Sequence, residues 1–299
     1  MLAYRDLIRP EIINSIEGLE LVSKVVVDNF FHGLTRSRRV GTGQEFSQYR
    51  SYEPGDDLRL LDWKMLARSS RYYIRQAEVD TSVVVKFIID ATKSMEHTEA
   101  GVSKIDFARL IAASIGYLAQ NQGDNIGLHA VGELDTVAVL PKMDKQHFSR
   151  FLFGLTQIRC SGKWPEFRKV EKQLHGRRKE KELLLFVTDF HEHDSELFHF
   201  IGKQKTPRNE VVVIQLVGER ELKLNYRNMV SLQDLETGEI IRLNPDEVKS
   251  GHILAVQNKY DELKRVLLDK QVEYHLLRLD DPLEDSLAAF LKTRNRLVK

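Results

Sequence analysis

From Ser82 onward the chain alternates uninterrupted apolar runs with amphipathic stretches. The runs are Val83 to Ile89, Ile126 to Val131, Leu183 to Val187, Val211 to Val217 and Val272 to Leu277. Each has the length of a strand and lacks the polar alternation of a sheet wetted on one side, so each predicts a strand buried on both faces. Between them Ser103 to Gln120, Lys145 to Leu155, Glu166 to Leu174, Ser195 to Gln204, Pro245 to Asp269 and Pro282 to Arg296 read as helices. Ser103-Lys104-Ile105-Asp106 has the form of a capping box at the start of the first of these helices. Strands alternating with helices predict an α/β fold, a doubly wound and mainly parallel sheet of Rossmann type with helices on both faces. Asp234 to Ile240 reads as a hairpin with a polar turn.

The first eighty residues follow another pattern. Residues 5–31 carry helical spacing, with Leu19, Val22, Val26 and Phe30 near one face. Two strand-like pieces, Glu45 to Tyr52 and Arg71 to Glu78, flank a short helical one, Leu58 to Ala67. Pro54-Gly55-Asp56-Asp57 is a turn, with proline presetting φ and glycine permitting unusual angles. Asp56 or Asp57 is expected to cap the helix beginning near Leu58, and Trp63 to pack that helix onto the sheet. Two domains follow: residues 1–80, an N-terminal helical and β subdomain, and residues 81–299, the α/β domain.

Ligands of open α/β sheets bind outside the carboxyl ends of the strands, where the strand order reverses. Two predicted strands end in acids there. Val83 to Ile89 runs into Asp90-Ala91-Thr92-Lys93-Ser94, and Leu183 to Thr188 into Asp189. Carboxylates and hydroxyls are the oxygen ligands that a hard cation such as magnesium takes. Asp90, Thr92, Ser94 and Asp189 are therefore the candidate metal ligands. His191-Glu192-His193-Asp194 lacks the spacing that sets two histidines on one helical face, and Asp194 reads as a helix cap.

The stretch from about Gly33 to Met95 resembles a bacterial family, domain of unknown function 58. The resemblance lies in Gly41-Thr42-Gly43-Gln44-Glu45-Phe46, in Tyr52-Glu53-Pro54-Gly55-Asp56-Asp57-Leu58-Arg59-Leu60-Leu61-Asp62-Trp63, in Ala67-Arg68 and in Tyr72-Tyr73-Ile74. Asp90-x-Thr92-x-Ser94 in turn resembles the Asp-x-Ser-x-Ser loop of von Willebrand factor type A domains. Their metal-ion-dependent adhesion site binds magnesium or manganese. The resemblance implies a von Willebrand A-like fold and, as partner, a MoxR-type AAA+ ATPase. It places Asp90, Thr92 and Ser94 in the first metal loop and Asp189 in the last. The second loop departs from the pattern: where the resemblance expects threonine, the chain has Cys160-Ser161-Gly162-Lys163. Lys163, with three donors and no lone pair, is expected either to stand between Asp90 and Asp189 in place of the cation or to face solvent.

Composition narrows the function classes. With 299 residues, 30% charged and 42% hydrophobic, the chain is long and apolar enough for a folded globule. Its net charge of +1 gives no overall pull toward nucleic acid or an acidic membrane. One cysteine, Cys160, excludes an internal disulfide framework. No run reaches the length of a membrane span, and the early charges of the N-terminus do not form a signal peptide, so a cytoplasmic protein is expected. The reading that follows is a non-catalytic adaptor. It works through a degenerate adhesion site with a MoxR-type ATPase or its client in protein assembly or maturation. Two alternatives remain open at the level of sequence. One is a metal-dependent hydrolase using Asp90 and Asp189, with the Asp56-Asp57 turn closing over them. The other is an RNA-binding module working through the Arg36 to Arg39 loop.

Overall fold

A computed structural model describes residues 9–35, 48–53, 61–69, 71–76, 83–99, 101–142, 144, 146–166, 170, 181–191, 196–226 and 228–293. In chain order the elements are α1 (Pro10–Ile13), α2 (Ile16–Thr35), β1 (Gln48–Ser51), α3 (Trp63–Ser69), β2 (Tyr73–Gln76), β3 (Val84–Asp90), β4 (Thr98–Glu99) and β5 (Val102–Ser103). Then follow α4 (Lys104–Asn121), β6 (Asn125–Val131), β7 (Thr136–Lys142), α5 (His147–Gln157), β8 (Glu182–Thr188), α6 (Glu196–Gln204) and β9 (Asn209–Val217). The chain closes with α7 (Glu219–Lys223), β10 (Val230–Gln233), β11 (Ile240–Leu243), α8 (Pro245–Asp269), β12 (Glu273–Arg278) and α9 (Leu283–Thr293). A short 3-10 turn, Lys93–Glu96, follows β3. Two compact units result, residues 1–31 with 83–299 and residues 32–82.

The larger unit is built on a six-stranded sheet in the order β12-β9-β8-β3-β6-β7. All its pairs are parallel except β6 with β7. The doubly wound, mainly parallel sheet foreseen from the apolar runs is thus the fold. Both faces are covered, because successive residues of a strand point to opposite sides. Phe87 on β3 meets Phe151 of α5 at 5.2 Å between ring centroids. Its neighbour Ile88 joins Phe186, Phe200, Trp164 and Val213 in a separate buried cluster. Each such side chain contributes about 1.5–3 kcal/mol on leaving water.

Helix starts follow local chemistry. Ser103 Oγ accepts from Asp106 N at 3.1 Å, the cap expected of α4. Asn244 Oδ1 accepts from Asp246 N at 3.3 Å, with Pro245 opening α8. The hairpin expected around Asp234 is β10 and β11, joined by a turn in which Asp234 Oδ1 accepts from Glu236 N and Thr237 N. One strand of the sheet, β7, is absent from the sequence reading. Pro141 masked it, and proline is tolerated at an edge. The helix expected over Glu166 to Leu174 lies almost wholly outside the described residues.

The first helices go with the α/β unit, so the division differs from the one drawn at residue 80. Leu19, Val22 and Val26 are fully buried. Asn14 Oδ1 accepts from Arg109 Nη1 at 3.0 Å, and Asn29 Nδ2 donates to Glu284 Oε1 at 2.9 Å.

Within residues 32–82, β1 pairs with β2 in antiparallel register. Two expectations need correction here. The cap of α3 is Asp62, whose Oδ1 accepts from Lys64 N at 2.9 Å and Met65 N at 3.1 Å. The described helix begins at Trp63, too late in the chain for Asp56 or Asp57 to cap it, and both of those lie outside the described residues. Trp63 is 64% exposed, so it does not bury α3 against a sheet; Leu61, just before the cap, is buried instead.

Candidate functional site

Strands β3 and β8 are neighbours at the centre of the sheet, and from them the order runs outward in opposite directions. That is the switch point, and the crevice of such a sheet opens at its carboxyl edge. Asp90 is the last residue of β3, and Asp189 follows β8 directly. Parallel pairing from Val84–Glu182 to Ile89–Val187 brings the two strand ends to the same edge.

The predicted residues come together. Asp90 Oδ1 accepts from Thr92 N at 2.9 Å, which turns the chain sharply after β3. Thr92 Oγ1 and Ser94 Oγ lie 3.0 Å apart, and Ser94 Oγ donates to Asp189 Oδ1 at 3.1 Å. The four side chains form one connected set, all buried. The chain leaving β8 is held in the same way. His191 N donates to Asp189 Oδ1 at 3.2 Å, and Phe190, at φ 52°, donates its N–H to Thr188 Oγ1 at 3.1 Å. Below the site, Gln215 Nε2 donates to the Asp189 carbonyl at 3.2 Å, and Tyr274 OH donates to Gln215 Oε1 at 2.6 Å.

Three residues of the site were not visible in the sequence. Thr188 Oγ1 donates to Asp90 Oδ2 at 2.7 Å. Lys104 Nζ donates to Asp189 Oδ2 at 2.8 Å and to Glu221 Oε1 at 2.6 Å, with the lysine only 2% exposed. Glu221 is itself fixed, its Oε2 accepting from Gly218 N at 2.8 Å. The sequence did carry a sign of Lys104. A cation in the first turn of a helix faces the positive end of the helix dipole, which is unfavourable without acids beside it.

The two acids are driven apart electrostatically. Burial, and then the neighbouring Asp189 charge, push the Asp90 carboxyl up to about 7, against the hydrogen bonds from Thr188 and Thr92. Burial acts upward on Asp189 too, but the charges of Lys104 and His191 and the hydrogen bonds they give hold it below the usual carboxylate range. Burial works against the Lys104 ammonium, yet Asp189 and Glu221 raise it above an ordinary lysine. Burial, followed by Glu96 and Asp90, pushes the Cys160 thiol up to about 12, which removes it as a nucleophile at neutral pH.

The second loop lies beside the first. Ser161 N donates to the Ala91 carbonyl at 2.8 Å, and Lys93 N to the Gly162 carbonyl at 2.9 Å. Its hydroxyl is engaged elsewhere, since Ser161 Oγ accepts from Leu134 N at 3.2 Å. Lys163 is exposed, its N–H held by Glu133 Oε2 at 3.1 Å, so the ammonium that meets Asp189 belongs to Lys104 and not to Lys163. Gly162 itself takes the left-handed region, at φ 50°.

The donor types of Asp90, Thr92, Ser94 and Asp189 suit magnesium or manganese, but their surroundings do not fit a resident ion. Each oxygen of the two carboxylates already accepts a hydrogen bond from the chain. Asp189 carries an ammonium, and the second loop's hydroxyl is turned to Leu134. Among the described residues, no three histidine, cysteine, aspartate or glutamate side chains gather as a metal-ligand set. His191 is exposed beside Asp189, while Glu192, His193 and Asp194 lie outside the described residues, as do Asp56, Asp57 and Arg36 to Arg39. Among the described residues, no helix is long and apolar enough to cross a membrane.

The family described as protein of unknown function DUF58 matches residues 48–259. The chain is 24% identical over 243 residues to the uncharacterized protein Rv1480 of Mycobacterium tuberculosis, covering 81% of this chain and 76% of that protein. Among solved structures, it is similar to the conserved hypothetical protein BatB from Bacteroides thetaiotaomicron, at 12% identity and a TM-score of 0.44, over 71% of this chain and 98% of the other. It is also similar to the SpRpn10 VWA domain, at 11% identity and a TM-score of 0.44, over 69% and 94% of the two chains.

Proposed function

Because the chain belongs to the family described as protein of unknown function DUF58, we propose that it is a non-catalytic interaction domain whose partner docks at the carboxyl edge of the sheet. The observation that carries this reading is the convergence of Asp90, Thr92, Ser94 and Asp189 at the switch point, where open α/β sheets bind. The set is buried, so contact is made by the residues around it. Glu96, Lys163, His191 and Arg220 are exposed on the segments that leave this edge, Glu96 in the 3-10 turn and Arg220 in α7, and Lys93 pairs with Glu96 at 2.6 Å. Charged groups of both signs stand around this edge, Glu133 and Asp135 among the acids, which suits a polar contact with a partner protein. The partner is a MoxR-type AAA+ ATPase or one of its clients, the association that the sequence resemblance implies, in assembly or maturation of other proteins. If magnesium or manganese were to bridge the contact, Asp90, Thr92, Ser94 and Asp189 would hold it, and Lys104 would first have to leave Asp189.

The test is binding of the purified ATPase to the full chain by calorimetry, wild type beside Asp90→Ala and Asp90→Asn. We expect Asp90→Ala, which frees Thr92 N and Thr188 Oγ1 and so loosens the loop beneath the rim, to weaken docking by about ten-fold or more while circular dichroism stays native and melting stays a single transition at a lower midpoint. Asp90→Asn, which preserves shape, serves as the control for folding. An Asp90→Ala protein that docks as the wild type does would move the interaction surface away from this edge.

A further inference from the structure

We propose that Lys104 is the resident cation of this site: its ammonium, held between Asp189 and Glu221, supplies the positive charge beside the acids, and the site holds its shape without metal. The proposal builds on the docking reading above and adds how the site is charged and what it does not require.

Three observations carry it. The first is where the ammonium lies. Long lysine side chains ordinarily keep the charged end in water, yet Lys104 is among the largest fully buried side chains of the protein. It opens α4, at the end of the helix that disfavours a cation. Only a specific need for positive charge at this point accounts for such a placement, and Asp189 and Glu221 supply that need, at 2.8 and 2.6 Å.

The second is that both partners of Lys104 are fixed independently of it. Glu221 is anchored through Gly218 N, and Asp189 through Ser94 Oγ and His191 N. The lysine therefore enters a prepared pair of acids and completes it. A buried charge pair holds when its hydrogen-bonding positions are met, and here every oxygen of the two carboxylates has a donor.

The third is the state of the oxygens that a metal would need. The Thr92 and Ser94 hydroxyls bond to each other, Ser94 is committed to Asp189, and Asp90 is met by Thr92 N and Thr188 Oγ1. Magnesium demands near-octahedral oxygen geometry and gives up its waters reluctantly. To enter it would have to expel the ammonium from Asp189 and break the Ser94–Asp189 hydrogen bond. Nor does the second loop compensate, because Ser161 Oγ serves Leu134 N.

The test uses manganese ion as the probe, with uptake followed by electron paramagnetic resonance and by calorimetry on the full chain. Wild type should take up none at sub-millimolar concentration, and its melting temperature should not move with manganese or with a chelator. Lys104→Met, which keeps the length and removes the charge, should bind manganese about ten-fold or more tightly than wild type and melt higher in its presence. Lys104→Gln provides the same comparison with a neutral polar group. Sub-millimolar binding by wild type overturns the proposal, as does a folded Lys104→Met that takes up no manganese. Should both variants lose their melting transition, its return in millimolar manganese supports the proposal and its continued absence overturns it. No partner is present in these measurements, so failure of the docking reading leaves their outcome untouched.

Discussion

Thr188 Oγ1 donates a 2.7 Å hydrogen bond to Asp90 Oδ2, so the last residue of β8 holds the last residue of β3 across the centre of the sheet. The same hydroxyl accepts from Phe190 N at 3.1 Å and so fixes the turn that presents Asp189. One side chain thus sets the spacing of the two acids and the path of the chain after β8.

Thr188→Val keeps the shape and removes both hydrogen bonds. A buried carboxylate oxygen and a buried N–H lose their partner, which costs about 1–3 kcal/mol. Urea unfolding should show a lower midpoint with an unchanged slope. A midpoint equal to that of the wild type would mean that water or another group replaces the hydroxyl.

His129 gives the stability a pH dependence. It is buried on β6, and burial, together with the nearby Lys86 charge, pushes its pKa down from 6.5 to about 4. The folded state therefore holds it neutral where the unfolded chain would be protonated. Its contribution is complete above the unfolded value and is lost as pH falls from about 6.5 to about 4. Asp90 works in the opposite sense, because a carboxyl pushed up to about 7 favours the folded state as pH falls. The two trends offset in the wild type, and the difference between wild type and His129→Leu isolates the first. That difference should shift by about 2–3 kcal/mol between neutral pH and about pH 4, in favour of the variant at the acid end. Unfolding curves taken across this range measure it, and a difference independent of pH would show that the histidine titrates normally.

Arg109 is the joint between the helices on one face of the sheet. Its Nε donates to the Leu155 carbonyl at 3.1 Å and its Nη2 to the Ile158 carbonyl at 2.8 Å. Nη1 reaches Asp106 Oδ1 at 2.6 Å and Asn14 Oδ1 at 3.0 Å. Arg109→Met leaves these acceptors facing an apolar chain and should cost about 3–5 kcal/mol. Arg109→Lys should recover only part of that loss, since an ammonium cannot span the same fork. Thermal melting of the two variants tests this order, and equal stability of lysine and arginine at the position would contradict it.

The five parallel strands of the sheet were legible because their apolar runs leave a signature in consecutive residues, which the alternating, half-exposed β7 does not have. Asp90 and Asp189 were legible for a related reason, as acids that end such runs. What pairs with them was not. Lys104 lies 85 residues from Asp189 and 117 from Glu221, and Thr188 lies 98 from Asp90. No local pattern encodes contacts at those separations: a lysine in the first turn of α4 signals that acids stand near it, but not which ones. Lys163 drew the assignment because it lies within the second loop, whereas the charge arrived from another helix. Trp63 was misread through size alone: a large aromatic residue suggests packing, but the cap at Asp62 made it the first helical residue and left it exposed.

One margin of the sheet is interrupted. β7 is its one antiparallel strand, and among the described strands it has no neighbour on its outer side. An open edge of this kind can template the strand of another molecule. Here its register with β6 slips between Ile126 and Leu128, and at Gly127 a side chain would come within 2.7 Å of the Pro141 ring. A bulge and a proline together twist and interrupt a ladder. An edge strand so interrupted is a poor template for a second strand.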